Sequence, residues 1–405
     1  MGTWGRGIMG ILGYINLLVI LLLPVCGFSK TIQFSIATED GITQIHGQVD
    51  LPDEPASRSV RKFPIVLMVG GTGLFDRDYN YGSSNTDRDL LFKEFSLFLN
   101  KHGIAAARYD YRGVSCSERT VPLCKTCNDE KSITQHYVNS CIDNKIRATV
   151  TATNPGDDAA SVYKYLMNQP TIDAAQIIIF AHSEGTIHLS RLISKSLIKP
   201  KGLLMMGFVA ESPRALFQWQ FTSRMADAYW EMDLNSDKKI ENNEISTVCK
   251  TNAMPQDQCE SLKSSTGSWT ESSLQKEIIR KYQATRDEVF THSDSEPFKY
   301  LLGEYGVIWA NYNWWKLFFT DGPNNLNSFF NFNGKISFNN GDVDGATPAQ
   351  REFNVLHFYQ TSFNSPIHIN SYPNRGHSLG TKHYGGPIED DSLNKLINEI
   401  HWLLQ

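Results

Sequence analysis

The chain has 405 residues, 41% of them apolar and 20% charged, which is enough to build a sizeable core in one large domain with insertions or in two domains. Its 38 Lys and Arg against 43 Asp and Glu give a net charge of −5. With no basic run or basic face, nucleic acid is not an expected partner.

The chain opens on Arg6, the only charge ahead of the apolar stretch Ile8 to Val25, and Val25-Cys26-Gly27 closes that stretch. Small residues at −3 and −1 fit a secretory signal over 1–27, cleaved after Gly27, and an exported protein with no stable membrane span once the leader is gone. Of the seven cysteines, Cys26 falls in the leader and the others are Cys116, Cys124, Cys127, Cys141, Cys249 and Cys259. An even number in an exported chain reads as disulfides, with Cys249 and Cys259 as a pair. Connectivity among the first four stays open.

Thr31–Ala37 and Ile42–Leu51 read as antiparallel strands joined at Asp40-Gly41. Apolar runs then alternate with helical periodicity. Strands are expected at 63–71, 104–111, 176–181 and 203–210, and helices at 90–102, 157–167 and 183–197, with Asp157 or Asp158 capping the second helix. Continuous rather than alternating apolar runs indicate strands buried on both faces, and the alternation of strand and helix indicates a parallel sheet. Residues 213–330 break the rhythm: they are helical, aromatic and rich in Trp. The alternation returns with a strand at 335–339, a helix at 350–359, a strand at 367–372 and a terminal helix at 391–404. The fold expected is α/β, with a core over 28–212 and 331–405 and a helical cap inserted at 213–330.

The run Ile177–Thr186, IIIFAHSEGT, carries the chemistry. A buried strand meets a helix at Ser183, with small Ala181 and Gly185 two residues to either side. A nucleophilic Ser on a sharp strand-to-helix turn needs that pattern. His377, in the loop after the last strand, is the expected base, preferred to His383. Asp344 is the expected acid that orients it, with Asp342 as the fallback. The glycine turn Val69–Gly73 places backbone N–H groups for an oxyanion, assigned to Thr72 and Glu184. The Glu184 side chain faces substrate or solvent, and His182 is read as a packing residue.

These segments together resemble the α/β-hydrolase superfamily, and within it bacterial esterases and serine-peptidase-like hydrolases. The oxyanion loop of that group reads Gly-Ser-Gly-Pro-x-Asp-Arg-Asp, against Gly71-Thr72-Gly73-Leu74-Phe75-Asp76-Arg77-Asp78 here. Its Arg-Tyr-Asp-x-Arg-Gly is matched by Arg108–Gly113, its Gly-His-Ser-x-Gly by 181–185 except at Ala181, and its Gly-x-x-Asp-x-x-x-Pro by Gly341–Pro348. The resemblance implies hydrolysis of small-molecule esters, thioesters or amides with no cofactor in the chemistry. A carboxylesterase is the leading expectation. A peptidase or thioesterase is the alternative on the same fold, and a silent calcium-dependent binding protein is the alternative of another class. Asp76, Arg77, Asp78, Asp110 and Arg112 read as a charge network tying two loops together.

The insertion carries one more pattern. Asp233, Asn235, Asp237, Lys239 and Glu244 stand at the first, third, fifth, seventh and twelfth positions of an EF-hand loop, with Glu241 at the ninth and Ile240 as the apolar eighth. Lys238 stands where Gly is usual. The spacing points to a structural calcium ion held by a single loop, between a helix at 215–232 and another beginning at 245.

Overall fold

The computed structural model describes residues 30–53, 62–79, 90–115, 130–251, 254, 256–299 and 306–405. The leader and Cys116, Cys124 and Cys127 lie outside them. The hairpin β1 (Thr31–Ala37) and β2 (Gln44–Asp50) leads into β3 (Phe63–Val69), α1 (Leu91–Lys101) and β4 (Ala105–Tyr109). After α2 (Glu130–Cys141) and α3 (Asn144–Arg147) come α4 (Asn154–Met167), β5 (Ile172–His182), α5 (Glu184–Ser194) and β6 (Gly202–Met206).

The insertion follows. It contains α6 (Pro213–Phe221), α7 (Ser223–Trp230), β7 (Lys239–Glu241), α8 (Asn242–Thr251), α9 (Gln256–Leu262), β8 (Ser268–Thr270) and α10 (Glu271–Thr291). β9 (Pro297–Phe298), β10 (Ala310–Asn311) and α11 (Tyr312–Leu317) complete it, and β11 (Lys335–Gly341), α12 (Ala349–Phe358), β12 (Ile367–Tyr372) and α13 (Asp390–Leu404) return to the core.

The central sheet has eight strands in the order β1-β2-β4-β3-β5-β6-β11-β12. β2 pairs antiparallel with both neighbours, and every other pairing is parallel. The continuous apolar runs have a direct structural reason. Along β3, Ile65 and Leu67 join one buried cluster with Val162, Leu166, Leu189 and Leu356, from the helices on that face. Val66 and Met68 point the other way, into a cluster with Phe92, Phe95, Leu396 and Ile400 of α1 and α13. A strand covered on both faces has no polar positions to alternate with.

Several boundaries differ from expectation, among them the helix expected over 183–197, which ends at Ser194, and the strand expected over 203–210, which ends at Met206. α4 starts at Asn154, ahead of Asp157, because Pro155 fits the first turn, where its missing N–H costs nothing. Asp157 and Asp158 are then free to pair with Arg191 and Arg112, both at bonding distances under 3 Å. The expected helix over 215–232 is two helices, broken at Thr222, whose backbone turns to φ −117°, ψ −79°.

The loop at 233–244 is not alone. β7 pairs antiparallel with β8, placing Ile240 opposite Trp269. With Trp269 as an eighth position, Gly267 falls at the sixth with φ +94°, Ser264 at the third, Thr266 at the fifth and Ser273 at the twelfth. The hydrogen bonds repeat as well. Glu241 N–H donates to Glu244 Oε2 at 2.8 Å, and Thr270 N–H donates to Ser273 Oγ at 2.9 Å. Asp237 N–H donates to Asn235 Oδ1 at 2.8 Å, and Thr266 N–H donates to Ser264 Oγ at 3.3 Å. The second loop thus repeats the backbone plan, with hydroxyls of Ser264, Thr266 and Ser273 at its third, fifth and twelfth positions and Leu262 at its first. A disulfide between Cys249 and Cys259 ties the exit helix of the first loop to the entry helix of the second. Cys141 is also disulfide-bonded.

Candidate active site

Ser183 stands between β5 and α5 with φ 57° and ψ −126°. A side chain in that region costs on the order of 1–3 kcal/mol and persists only where its surroundings fix it. Three contacts do so. Ser183 N–H donates to Met206 O at 2.9 Å, and its carbonyl accepts from Thr186 N–H at 2.9 Å and Thr186 Oγ1 at 2.7 Å. The small residues around it are sterically required. A Cβ on Gly185 would lie 2.5 Å from Val69 O, and one on Gly71 would lie 2.5 Å from Ser183 Cβ and 3.0 Å from its Oγ.

His377 lies in the loop after β12, and its Nδ1 is 2.8 Å from Asp344 Oδ2. Both side chains are buried. Asp344 is held as a multiple acceptor, with Oδ1 taking Ala346 N–H at 2.7 Å and Thr347 N–H at 2.9 Å, and Oδ2 taking the Thr347 hydroxyl at 2.7 Å. Since Asp344 accepts, Nδ1 of His377 carries the proton and Nε2 has the lone pair. Asp342 instead accepts from Asn374 N–H at 2.6 Å, and His383 Nδ1 bonds Val343 O at 2.9 Å. Among the described residues, no hydrogen bond joins Ser183 Oγ to His377.

At the glycine turn 69–73 and at the start of α5, the N–H groups of Thr72 and Glu184 donate to nothing among the described residues, whereas Gly71 N–H donates to Tyr79 Oη at 2.7 Å. The Tyr79 hydroxyl meets His182 Nδ1 at 3.3 Å, and His182 Nε2 meets His377 O at 3.2 Å. A carbonyl only accepts, so Nε2 donates and Nδ1 accepts from Tyr79. Burial pushes the His182 imidazole well below its ordinary pKa, with the neighbouring His377 acting in the same direction. His182 is therefore a neutral link between the glycine turn and the His377 loop. Tyr79 and Gly207 were missed in the sequence. Gly207, with φ +59°, matters because a Cβ there would lie 2.6 Å from His377 Cε1. An isolated glycine just past a strand end was the only signal for it.

The Glu184 side chain is buried and lines the cavity beside Gly71, Gly73, Arg147 and Trp309, so it faces that cavity and not bulk solvent. Its Oε2 accepts from Thr72 Oγ1 at 2.5 Å, its Oε1 accepts from Trp314 Nε1 at 2.7 Å, and His188 Nε2 lies 3.5 Å from Oε1. The charge network ties the two loops through Arg77 with Asp110 and Arg108 with Asp78, whereas Arg112 reaches outside them to Asp158 and Asp40. Arg77 grips Asp110 with Nη2 at 2.6 Å, and Arg112 grips Asp158 with Nη2 at 2.7 Å. Arg108 bridges Asp50 at 2.9 Å and also pairs with Asp78. Buried charges of this kind need such partners. Most tryptophans of the insertion serve packing: Trp309, Trp314 and Trp315 are buried in one aromatic cluster with Phe217, Phe318 and Phe319, and Trp269 is buried in another with Tyr229.

In the loop at 233–244, Lys238 takes the left-handed conformation, φ 66°, that Gly usually supplies there. Asp233, Asn235, Asp237 and Glu244 offer oxygens suited to a hard cation, and each side chain accepts N–H groups of the loop itself. Among the described residues, no three His, Cys, Asp or Glu side chains converge as metal ligands. No described helix is long and apolar enough to cross a membrane.

Solved structures with a similar course include the α/β hydrolase GrgF from Penicillium sp. sh18, at 11% identity over 93% of this chain and 98% of that one, TM-score 0.47. DcsB in complex with its substrate analogue aligns at 10% identity over 92% and 99%, TM-score 0.49. A highly thermostable carboxyl esterase from Bacillus coagulans aligns at 12% identity over 93% and 99%, TM-score 0.45. No protein-family model and no curated protein sequence matches the chain. The fold assignment rests on the molecule itself. The strand order, the antiparallel second strand and the sharp turn from β5 into α5 make this the α/β-hydrolase fold.

Proposed function

We propose that the protein is an exported serine hydrolase that cleaves carboxylic esters of small molecules through Ser183, His377 and Asp344. The single observation that carries the reading is the 2.8 Å bond between His377 Nδ1 and Asp344 Oδ2, in a molecule that also strains Ser183 onto a turn beneath Gly71. His377 Nε2 takes the Ser183 proton as Oγ attacks the ester carbonyl. The backbone N–H groups of Thr72 and Glu184 receive the oxyanion. Asp344 holds the imidazole tautomer and balances its charge. The proton passes to the leaving alkoxide, and water releases the acyl group by the same route in reverse. The insertion acts as a cap over the site. Its aromatic cluster and Trp314, bonded to Glu184, support that role. Peptides and thioesters are the competing substrates on this machinery. Replacing Ser183 by Ala should abolish turnover of p-nitrophenyl esters in a panel that includes both; retained turnover would end the assignment.

Export is supported by the Cys249–Cys259 disulfide, which an oxidising compartment allows. A mature N-terminus at Phe28, read by sequencing, is the expected outcome. Calcium is proposed as a clip in the cap with no part in the chemistry. The left-handed backbone at Lys238 and the hard oxygen donors support it. Calorimetry with the mature protein should register calcium binding and a calcium-dependent rise in melting temperature; silence in both retires the clip.

A further inference from the structure

Glu184 contributes more than a backbone N–H. Its carboxylate is buried, yet it sits beside the place where an oxyanion would form, where a negative charge is unwelcome. A buried charge persists when something compensates it. Here the Thr72 hydroxyl and the Trp314 indole N–H each donate to one oxygen, at 2.5 and 2.7 Å. The guanidinium of Arg147 supplies opposite charge from nearby. Burial pushes Arg147 down to about 10, and the Glu184 carboxylate is the main influence opposing it.

The pairing is specific in what it joins. Thr72 and Glu184 are 112 residues apart, and they are the two residues whose N–H groups are assigned to the oxyanion. Trp314 is 130 residues from Glu184 and belongs to the insertion. One carboxylate therefore ties the two halves of the oxyanion site to each other and to the cap.

We infer that the Glu184 carboxylate is a positioning group, which sets the Thr72 N–H against its own and makes that alignment depend on the seating of Trp314. The inference rests on the hydrolase reading and deepens it. Oxyanion donors act only where they meet the developing charge, so losing their alignment lowers kcat more than it raises KM. A Thr72 without its hydroxyl keeps its N–H and its fold but loses the tether.

The test compares Thr72→Val, Glu184→Ala, Glu184→Gln and Trp314→Phe with wild type on p-nitrophenyl acetate, a substrate too small to need the cap for binding. Thr72→Val and Glu184→Ala should each lower kcat by about tenfold to a hundredfold with KM within about threefold. Their double variant should be no worse than either alone, because both break one tether. Glu184→Gln should recover most of the loss, since its amide can donate to the Thr72 oxygen while its carbonyl accepts from Trp314. Trp314→Phe should lose about tenfold in kcat through the missing N–H. Full wild-type kcat in Thr72→Val and Trp314→Phe would overturn the inference. So would losses in Thr72→Val and Glu184→Ala that simply multiply in the double variant. If Glu184→Ala does not fold, Thr72→Val, Trp314→Phe and Glu184→Gln decide the matter. Ser183→Ala in the same assay separates the two claims: its retained activity would refute the hydrolase reading itself.

Discussion

Replacing Asp344 by Asn should cost far more than replacing Asp342, and the structure gives the size of the difference. Asp344 Oδ1 is pinned by two backbone N–H groups, of Ala346 and Thr347, so an Asn would keep its carbonyl oxygen there. Its NH2 would then occupy the Oδ2 position, 2.8 Å from His377 Nδ1. Two donors cannot share that contact, so His377 would move its proton to Nε2 and lose the lone pair that accepts the Ser183 proton. A wrong tautomer of this kind costs about 10⁴ in kcat, or about 5.4 kcal/mol at about 1.36 kcal/mol per decade. The Asp342 side chain accepts from Asn374 N–H on the exposed side of the loop, with no histidine bonded to it among the described residues, and Asn at that position keeps an acceptor. Its loss should stay within about threefold. The assay is steady-state turnover of p-nitrophenyl butyrate by both variants at matched fold content, followed by circular dichroism. An Asp344→Asn enzyme within about tenfold of wild type, or a larger loss at Asp342, would refute the reasoning.

Other consequences follow from steric and ionisation constraints. Gly207→Ala should leave the far-ultraviolet spectrum unchanged but reduce kcat/KM at least about a hundredfold, because its Cβ would lie 2.6 Å from the His377 ring. Gly185→Ala should lower stability by more than about 2 kcal/mol in a denaturant titration, since its Cβ would meet the fixed backbone oxygens of Val69 and Gly70 at 2.5 and 2.7 Å. Glu352 is fully buried, and burial raises its carboxyl to about 8 from 4.5. The folded state therefore holds a proton that the unfolded chain releases. The stability it contributes is complete below pH 4.5 and declines up to pH 8, at up to about 1.4 kcal/mol per pH unit. Glu352→Gln can still accept from Ala210 N–H and should show a shallower decline of melting temperature across that window. An identical slope in variant and wild type would exclude it.

Much of this arrangement was legible in the residues. Ile65 to Val69 and Ile177 to Ala181 read as buried strands because no polar residue interrupts them, and helices cover the sheet on both faces there. Ser183 was visible because strand, tight turn and helix leave only small residues room beside it. The illegible parts depend on partners distant in sequence. A carboxylate such as Glu184 reads as facing substrate or solvent, and its bonds to Thr72 and Trp314 are visible only in the folded chain. The second loop of the insertion, with Ser264, Thr266 and Ser273 where ligands would stand, carries no acidic pattern to recognise. Only its pairing through Trp269 and Ile240 reveals it. Thr222 breaks a helix that periodicity alone continues, and the two pieces bury residues in different clusters, Leu216 and Phe217 of α6 in one and Tyr229 of α7 in another.

The central claim is that Ser183 is the nucleophile, and covalent capture tests it most directly. The mature protein treated with a fluorophosphonate and digested should yield one adduct, on the peptide containing Ser183, by mass spectrometry. Ester turnover should fall in step with its formation, and Ser183→Ala should form none. Turnover that persists after complete labelling, or an adduct on any other serine that tracks the loss of activity, would contradict the account.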